Sequence, residues 1–282
     1  MIKKIITGTF CVVTFFLVLL FTHTPSKHKN HGKIDLSLYM GDSINQPLIV
    51  GFGGGEGGNA WASDYWETTR NAFLKEGYAF LAIGYFGSEN TPTYLDRISL
   101  NAIYDSIISK SNHPLIDQSK IALIGGSKGA ELALNLSSRF NGIDAVVAFV
   151  PSHVSFPALT MFANTSSWEY NGKEVRFTEA PFKTIFPALQ GNHLEAFSMM
   201  LEDENEVINS TIKVENVNGP ILLISATRDE MWPSNDMSNK IMKRLEKNEF
   251  KYEYKHISIE GSHNEPLKHF DKVLHFLDSN FK

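Results

Sequence analysis

Cysteine is nearly absent from this 282-residue chain: the one thiol is Cys11. A single cysteine excludes a disulfide framework and a thiolate metal site from the rest of the sequence. Excess positive charge is also missing, because 26 Lys and Arg stand against 31 Asp and Glu for a net charge of -5. That balance offers no electrostatic footprint for nucleic acid. Gly-Lys-Ser/Thr occurs after neither glycine cluster, so no phosphate loop is encoded, and there are no internal repeats or low-complexity tracts. His28 and His31 lie in a basic stretch and read as solvated rather than ligating. No metal or cofactor is implied. What remains is 43% apolar, enough for one large core or two small ones.

Long apolar runs are scarce too, with one exception at the N-terminus. Lys3 and Lys4 precede an almost unbroken run from Ile5 to Phe21, followed by a polar, basic stretch from Thr22 to Lys33. In outline this is an export signal. Seventeen residues are just enough to cross a bilayer, and the first alanine of the chain is Ala60, so no Ala-x-Ala cleavage site follows. Residues 1–24 are therefore read as an anchor; a cleaved signal and a buried helix are the alternatives. Anchor or cleaved signal, the remainder is expected outside the cytoplasm, tethered to the membrane or secreted.

Residues 25–46 read as a linker with a weak edge strand at Ile34–Met40. From Pro47 onward apolar strands alternate with amphipathic helices. Strands are expected at Pro47–Phe52, Tyr78–Ile83, Ile121–Ile124, Ala145–Val150, Ile221–Ser225 and Tyr252–Ile259. Helices are expected at Ala62–Glu76, Leu95–Lys110, Ser127–Phe140, Met237–Lys247 and Leu267–Phe281. This alternation predicts an α/β fold with a mostly parallel, doubly wound sheet over 47–282. The stretch from about 152 to 219 interrupts it. It shows no clear sheet strand but many aromatics, among them Phe156, Trp168, Phe186 and Phe197. So long a stretch is unusual for a passive loop. It is read as a cap inserted over the site, with a peripheral embellishment as the alternative.

The chemistry-bearing motif is Gly125-Gly-Ser-Lys-Gly129, between an apolar run and a helix-like run. Gly-x-Ser-x-Gly at a strand-to-helix junction is the nucleophile-elbow pattern, in which a sharp turn exposes the serine hydroxyl. A serine hydroxyl at neutral pH needs a base and a group that orients the base. In an α/β-hydrolase the order is Ser, then Asp or Glu, then His. Asp229 follows the strand ending at Ser225, and His263 follows the last strand. Ser127, Asp229 and His263 are thus the candidate triad. His153 competes as base but follows the wrong strand, and Glu230 and Asp236 compete with Asp229.

Gly53-Gly-Gly-Glu-Gly-Gly58 after the early strand has two readings. It fits G-x-G-x-x-G, but that fingerprint requires an acid at the end of the next strand. Here Ile83-Gly-Tyr-Phe86 follows, with no acid until Glu89. The other reading is an oxyanion loop, whose backbone N–H at Gly55 or Glu56 joins that of Lys128 after the nucleophile. The oxyanion reading is favoured.

With these residues in view, the chain resembles the C-terminal catalytic domain of the acyl-CoA thioesterase / bile acid-CoA:amino acid N-acyltransferase family, in a stand-alone bacterial-type form. The segments that carry the likeness are 53–58, Ala82–Gly87, Ile124–Leu134, Val150–Val154, Ser166–Gly172, Gly219–Ser225 and Asp229 through Trp232-Pro-Ser234. The resemblance implies an α/β-hydrolase with Ser127 as nucleophile, Asp229 as acid and His263 as base. It implies a small-molecule acyl thioester or ester as substrate, without a cofactor. Serine rather than cysteine at the nucleophile favours hydrolysis over transfer to an amine. Arg228 departs from the usual second acid, and Ser262 from the glycine before the histidine. The β-rich N-terminal domain of the animal enzymes has no counterpart in these residues. Because an exported protein does not ordinarily meet CoA, an exported carboxylesterase or lipase-like hydrolase is the alternative. A non-catalytic binding module on the same frame is a further one.

Overall fold

The computed structural model describes residues 26–282. The expected anchor at 1–24, with Cys11, lies outside them. Among the described residues no helix is long and apolar enough to cross a membrane. The described residues form ten strands: β1 (Asp35–Tyr39), β2 (Gln46–Phe52), β3 (Ala79–Gly84), β4 (Ile98–Ser99), β5 (Ile116–Gly126), β6 (Ala145–Phe149), β7 (Trp168–Tyr170), β8 (Lys173–Glu174), β9 (Ile221–Ala226) and β10 (Tyr254–Ile259). Seven of them form one sheet in the order β1-β3-β2-β5-β6-β9-β10. β1 runs antiparallel to β3 at one edge, and the other neighbours are parallel.

Parallel pairing buries both faces, and the inner strands β3, β6 and β9 are accordingly buried at every position rather than alternately, while the edge strands β1 and β10 are only part-buried. Leu48, Val50 and Phe52 of β2 point to one face, while Ile49 points to the other. Helices cover both. On the first face lie α2 (Leu100–Ser111) and α3 (Lys128–Ser137), reached after α1 (Glu67–Lys75) on the second. The inserted stretch carries α4 (Ile185–Leu189), α5 (His193–Met200) and α6 (Glu204–Ser210). The chain then returns through α7 (Ser234–Lys247) on the first face and α8 (Phe270–Asn280) on the second. α7 buries Met237, Ile241 and Leu245, four residues apart and so on one face of the helix. Each such side chain contributes about 1.5–3 kcal/mol on full burial.

Several bounds differ from the sequence reading by a few residues, and three differences have a local cause. The expected helix at Leu95–Lys110 starts only at Leu100, because Arg97 takes φ +48° and Ile98–Ser99 pair with Trp168–Glu169. Ser99 then caps α2, its hydroxyl accepting from Ala102 N at 3.2 Å. The helix expected from Ala62 begins as two 3-10 turns and becomes α-helical at Glu67. The 152–219 stretch does contain short strands, β7 and β8, which join β4 in a separate three-stranded sheet. Their few residues are too short to register as a periodic pattern.

Candidate active site

The elbow follows from two close approaches of backbone. A Cβ on Gly125 would sit 2.1 Å from the Gly129 carbonyl oxygen, and one on Gly129 would sit 2.4 Å from the Gly53 oxygen. Only glycine at both ends lets β5, the turn and α3 close on one another beside β2. Between them Ser127 takes φ +54° and ψ -120°, a conformation that costs a non-glycine residue about 1–3 kcal/mol. Backbone bonds hold it there. Ser127 N donates to Phe149 O at 3.0 Å, and Ala130 N and Glu131 N donate to Ser127 O at 3.0 and 3.1 Å. Ser127 occupies the N-cap position of α3, but its side chain makes no capping bond. The hydroxyl is thereby left to the cavity above the strand ends.

Asp229 and His263 meet because the ladder between β9 and β10 continues past both strands. Ala226 pairs with Ile259, after which Thr227 N donates to Ile259 O and Arg228 N to Gly261 O, each at 2.9 Å. His263 Nδ1 then lies 2.7 Å from Asp229 Oδ1. The same oxygen accepts from Met231 N and Trp232 N at 3.0 and 3.2 Å, which fixes the carboxylate. Both side chains are buried. Glu230 takes a different part: its Oε2 accepts the backbone N–H of His263 at 2.9 Å and so holds the loop rather than the ring. Asp236 sits exposed in the first turn of α7, outside the cavity lining.

Ser127, Lys128, Gly55, Glu56 and His263 line one cavity of about 620 Å³. Its walls are largely apolar, with Trp61, Trp66, Phe149, Met231 and Trp232 among them. The inserted stretch supplies Leu159, His193 and Phe197. Trp232 ties this stretch to the His263 loop. Its indole donates to Val150 O at 3.0 Å and stacks on Phe156 at 5.5 Å, and Phe197 packs edge-on at 5.4 Å. In the glycine loop, Gly54 N donates to Glu56 Oε1 at 2.9 Å and the Tyr85 hydroxyl donates to Gly53 O at 2.7 Å. Gly54 N is thus engaged within the loop. Gly55 lies against Leu159 and Lys128, whose Cδ1 and Cγ stand 3.0 and 4.0 Å from where a Cβ would be.

The Lys128 side chain points away from the cavity into the protein, and sequence reasoning missed it. Nζ donates to Glu131 Oε2 at 2.9 Å and Ser167 Oγ at 3.0 Å. Glu131 Oε1 accepts from Trp168 Nε1 at 2.6 Å and Phe156 N at 3.0 Å. Burial disfavours both charges, pushing Lys128 down and Glu131 up, while each draws the other back. The charged residue at 131, on the otherwise apolar face of an elbow helix, was the available signal.

His153 is placed apart from this cavity. It is buried, and neither ring nitrogen has a protein hydrogen-bond partner. Burial, with the charge of Lys240 second, pushes its pKa from 6.5 down to about 3. The unfolded chain therefore takes up this proton first as pH falls. The stability is complete above pH 6.5 and is lost progressively toward pH 3. Thermal melts across that window are expected to show a steeper acid loss in the wild type than in His153→Leu; parallel curves would refute this origin.

A family model described as BAAT / Acyl-CoA thioester hydrolase C terminal matches residues 106–264, more than half of the chain and the span from α2 to just past His263. The chain belongs to this family. It is 26% identical over 178 residues to human Acyl-coenzyme A thioesterase 6, covering 60% of this chain and 38% of that protein. It is likewise 26% identical over 170 residues to mouse Peroxisomal succinyl-coenzyme A thioesterase, covering 56% and 36%. The chain thus spans well under half the length of these curated relatives. Among solved structures, acylaminoacyl peptidase of Pyrococcus horikoshii superposes with a TM-score of 0.63 at 17% identity, over 88% of this chain and 40% of that one. Monoacylglycerol lipase of Paleococcus ferrophilus gives 0.55 at 16%, over 88% and 99%. At such identities these neighbours establish the α/β-hydrolase fold alone.

Proposed function

We propose that the chain is a serine acyl hydrolase that cleaves an acyl thioester or ester through an acyl-enzyme. The observation that carries this reading is the 2.7 Å contact from His263 Nδ1 to Asp229 Oδ1, beside a serine held on a strained elbow in the same cavity. In this reading Ser127 Oγ attacks the acyl carbonyl carbon and passes its proton to His263 Nε2. Asp229 holds the ring in the tautomer that leaves Nε2 free and stabilises the imidazolium. The N–H groups of Lys128 and of Gly55 or Glu56 receive the oxyanion. One such donor is typically worth about 10²–10³ in turnover. The C–S or C–O bond then breaks, the leaving group takes the proton from His263, and a water repeats the sequence to release the acid.

The names of the relatives point to acyl-CoA as substrate. The N-terminal apolar run favours a second reading, an extracytoplasmic, membrane-tethered esterase acting on a non-CoA acyl group. A panel of matched acyl-CoA thioesters and p-nitrophenyl esters separates the two, and fluorophosphonate labelling followed by peptide mapping tests the nucleophile. Turnover with the label on Ser127 is the expected result. Neither turnover nor label would leave a binding module on a hydrolase frame.

A further inference from the structure

The exposed apolar side chains are unevenly placed. Tyr65 (84% exposed) lies on the 3-10 turn before α1, Tyr94 (63%) and Met161 (90%) lie in the loops after β3 and β6, and Phe186 (60%) and Leu189 (83%) lie on the inserted α4. These segments follow the strand ends at which the cavity opens, and the helix after α4 carries His193 and Phe197 of its lining. Tyr65 packs edge-on against Trp66, which lines the cavity. Leu159, also in the lining, bonds through its N–H to Leu95 O at 3.0 Å, next to Tyr94. At the opposite end of the sheet, Ile44 and Leu115 stand beside the starts of β2 and β5. Exposed apolar groups clustered around one mouth mark a contact surface.

What covers that surface is indicated by the chain that leads into it. Lys27 pairs with the buried Glu169, His28 Nε2 lies 3.1 Å from Thr93 Oγ1, and Asn30 Nδ2 donates to Thr91 O at 3.3 Å. The linker is therefore stapled to the loop that carries Tyr94. Only five residues separate Phe21, the end of the apolar run, from Lys27. Fully extended, such a tether reaches about 20 Å. A domain of this size is roughly 45 Å across. With Ile5–Phe21 in a bilayer, the cavity side meets the lipid and the Leu115 end does not. Lys29 and Lys33, both exposed on the linker, complement anionic headgroups.

We propose that the mouth of the cavity docks on an anionic lipid bilayer and that the acyl substrate is a long-chain ester drawn from that surface. The substrate half of this inference rests on the acyl-hydrolase reading. The docking half does not.

The test uses the full chain, with Cys11→Ser, reconstituted in phosphatidylcholine vesicles containing phosphatidylglycerol. A bimane probe at Leu189→Cys is expected to be quenched by brominated phosphatidylcholine about threefold more than one at Leu115→Cys, as an interfacial position should be. Equal quenching at the two sites, or none at Leu189→Cys, overturns docking, as does cross-linking that shows a second copy of the chain on this face. In the second arm, Phe186→Ser with Leu189→Ser is expected to lower hydrolysis of a vesicle-embedded long-chain ester about tenfold, through loss of interfacial apolar contact. Hydrolysis of soluble p-nitrophenyl butyrate should be retained. An equal fall on both, or no fall on either, overturns the substrate half. If the wild type hydrolyses neither ester, the acyl-hydrolase reading fails and takes the substrate half with it, while the quenching contrast still decides docking.

Discussion

Ser127→Ala is expected to lower turnover by about 10⁴–10⁶ with little change in melting temperature. On the acyl-enzyme reading, the substitution removes the attacking oxygen and almost nothing else. The hydroxyl makes no capping bond to α3, and the turn is held by backbone bonds from Ser127, Ala130 and Glu131 that an alanine keeps. His263→Ala should cost about as much, because the serine without its base is again a neutral alcohol. The double variant should lose little more than either single one, since the two act as a unit. Asp229→Asn should be milder, at about 10⁴ or less. Its damage would come from the tautomer: an amide nitrogen at the Oδ1 position would donate toward Nδ1 and turn the ring's free lone pair away from Ser127. Steady-state rates on one ester, for the three variants and the double, check all of this. Losses that multiply in the double variant would show that the residues do not work together.

How far the site was legible depends on the kind of signal each residue leaves. Ser127, Asp229 and His263 could be proposed together because each follows a strand of the main sheet, and a parallel sheet delivers strand ends to one side. The elbow glycines were readable because only glycine tolerates carbonyl oxygens at 2.1 and 2.4 Å from a Cβ position. The start of α2 was not, because Leu95 and Ile98 fit a helical period while Arg97 breaks it with a positive φ. That break depends on pairing with Trp168 and Glu169, about 70 residues away, which no local pattern records. The inward turn of the Lys128 side chain was hidden for a similar reason. A lysine after a nucleophile looks solvent-facing until its partners at 131, 156, 157 and 167 are brought around it.

That lysine carries the second large expectation. Lys128 and Glu131 are almost wholly buried, and each is held by several partners. Removing one member of such a pair strands the other charge, at a cost of about 3–5 kcal/mol. For a domain of this size that corresponds to roughly 5–10 °C in melting temperature. Lys128→Met should therefore destabilise strongly, although methionine fills much of the volume. The deficit should also depend on pH. Burial already raises the pKa of Glu131, and without the lysine nothing offsets that rise. A carboxyl whose folded-state pKa lies above its unfolded value loses stability as pH rises from the unfolded value toward the folded one. The deficit of Lys128→Met should thus be smaller at acidic pH and grow toward neutrality. Adding Glu131→Gln should recover part of it at neutral pH, because the amide oxygen still accepts from Trp168 Nε1 while no charge is stranded. Denaturant melts of the two variants at acidic and neutral pH decide the matter. A flat pH dependence, or no recovery in the double variant, would mean that lost packing against Phe156 and Trp168, rather than a stranded carboxylate, sets the stability of the elbow helix.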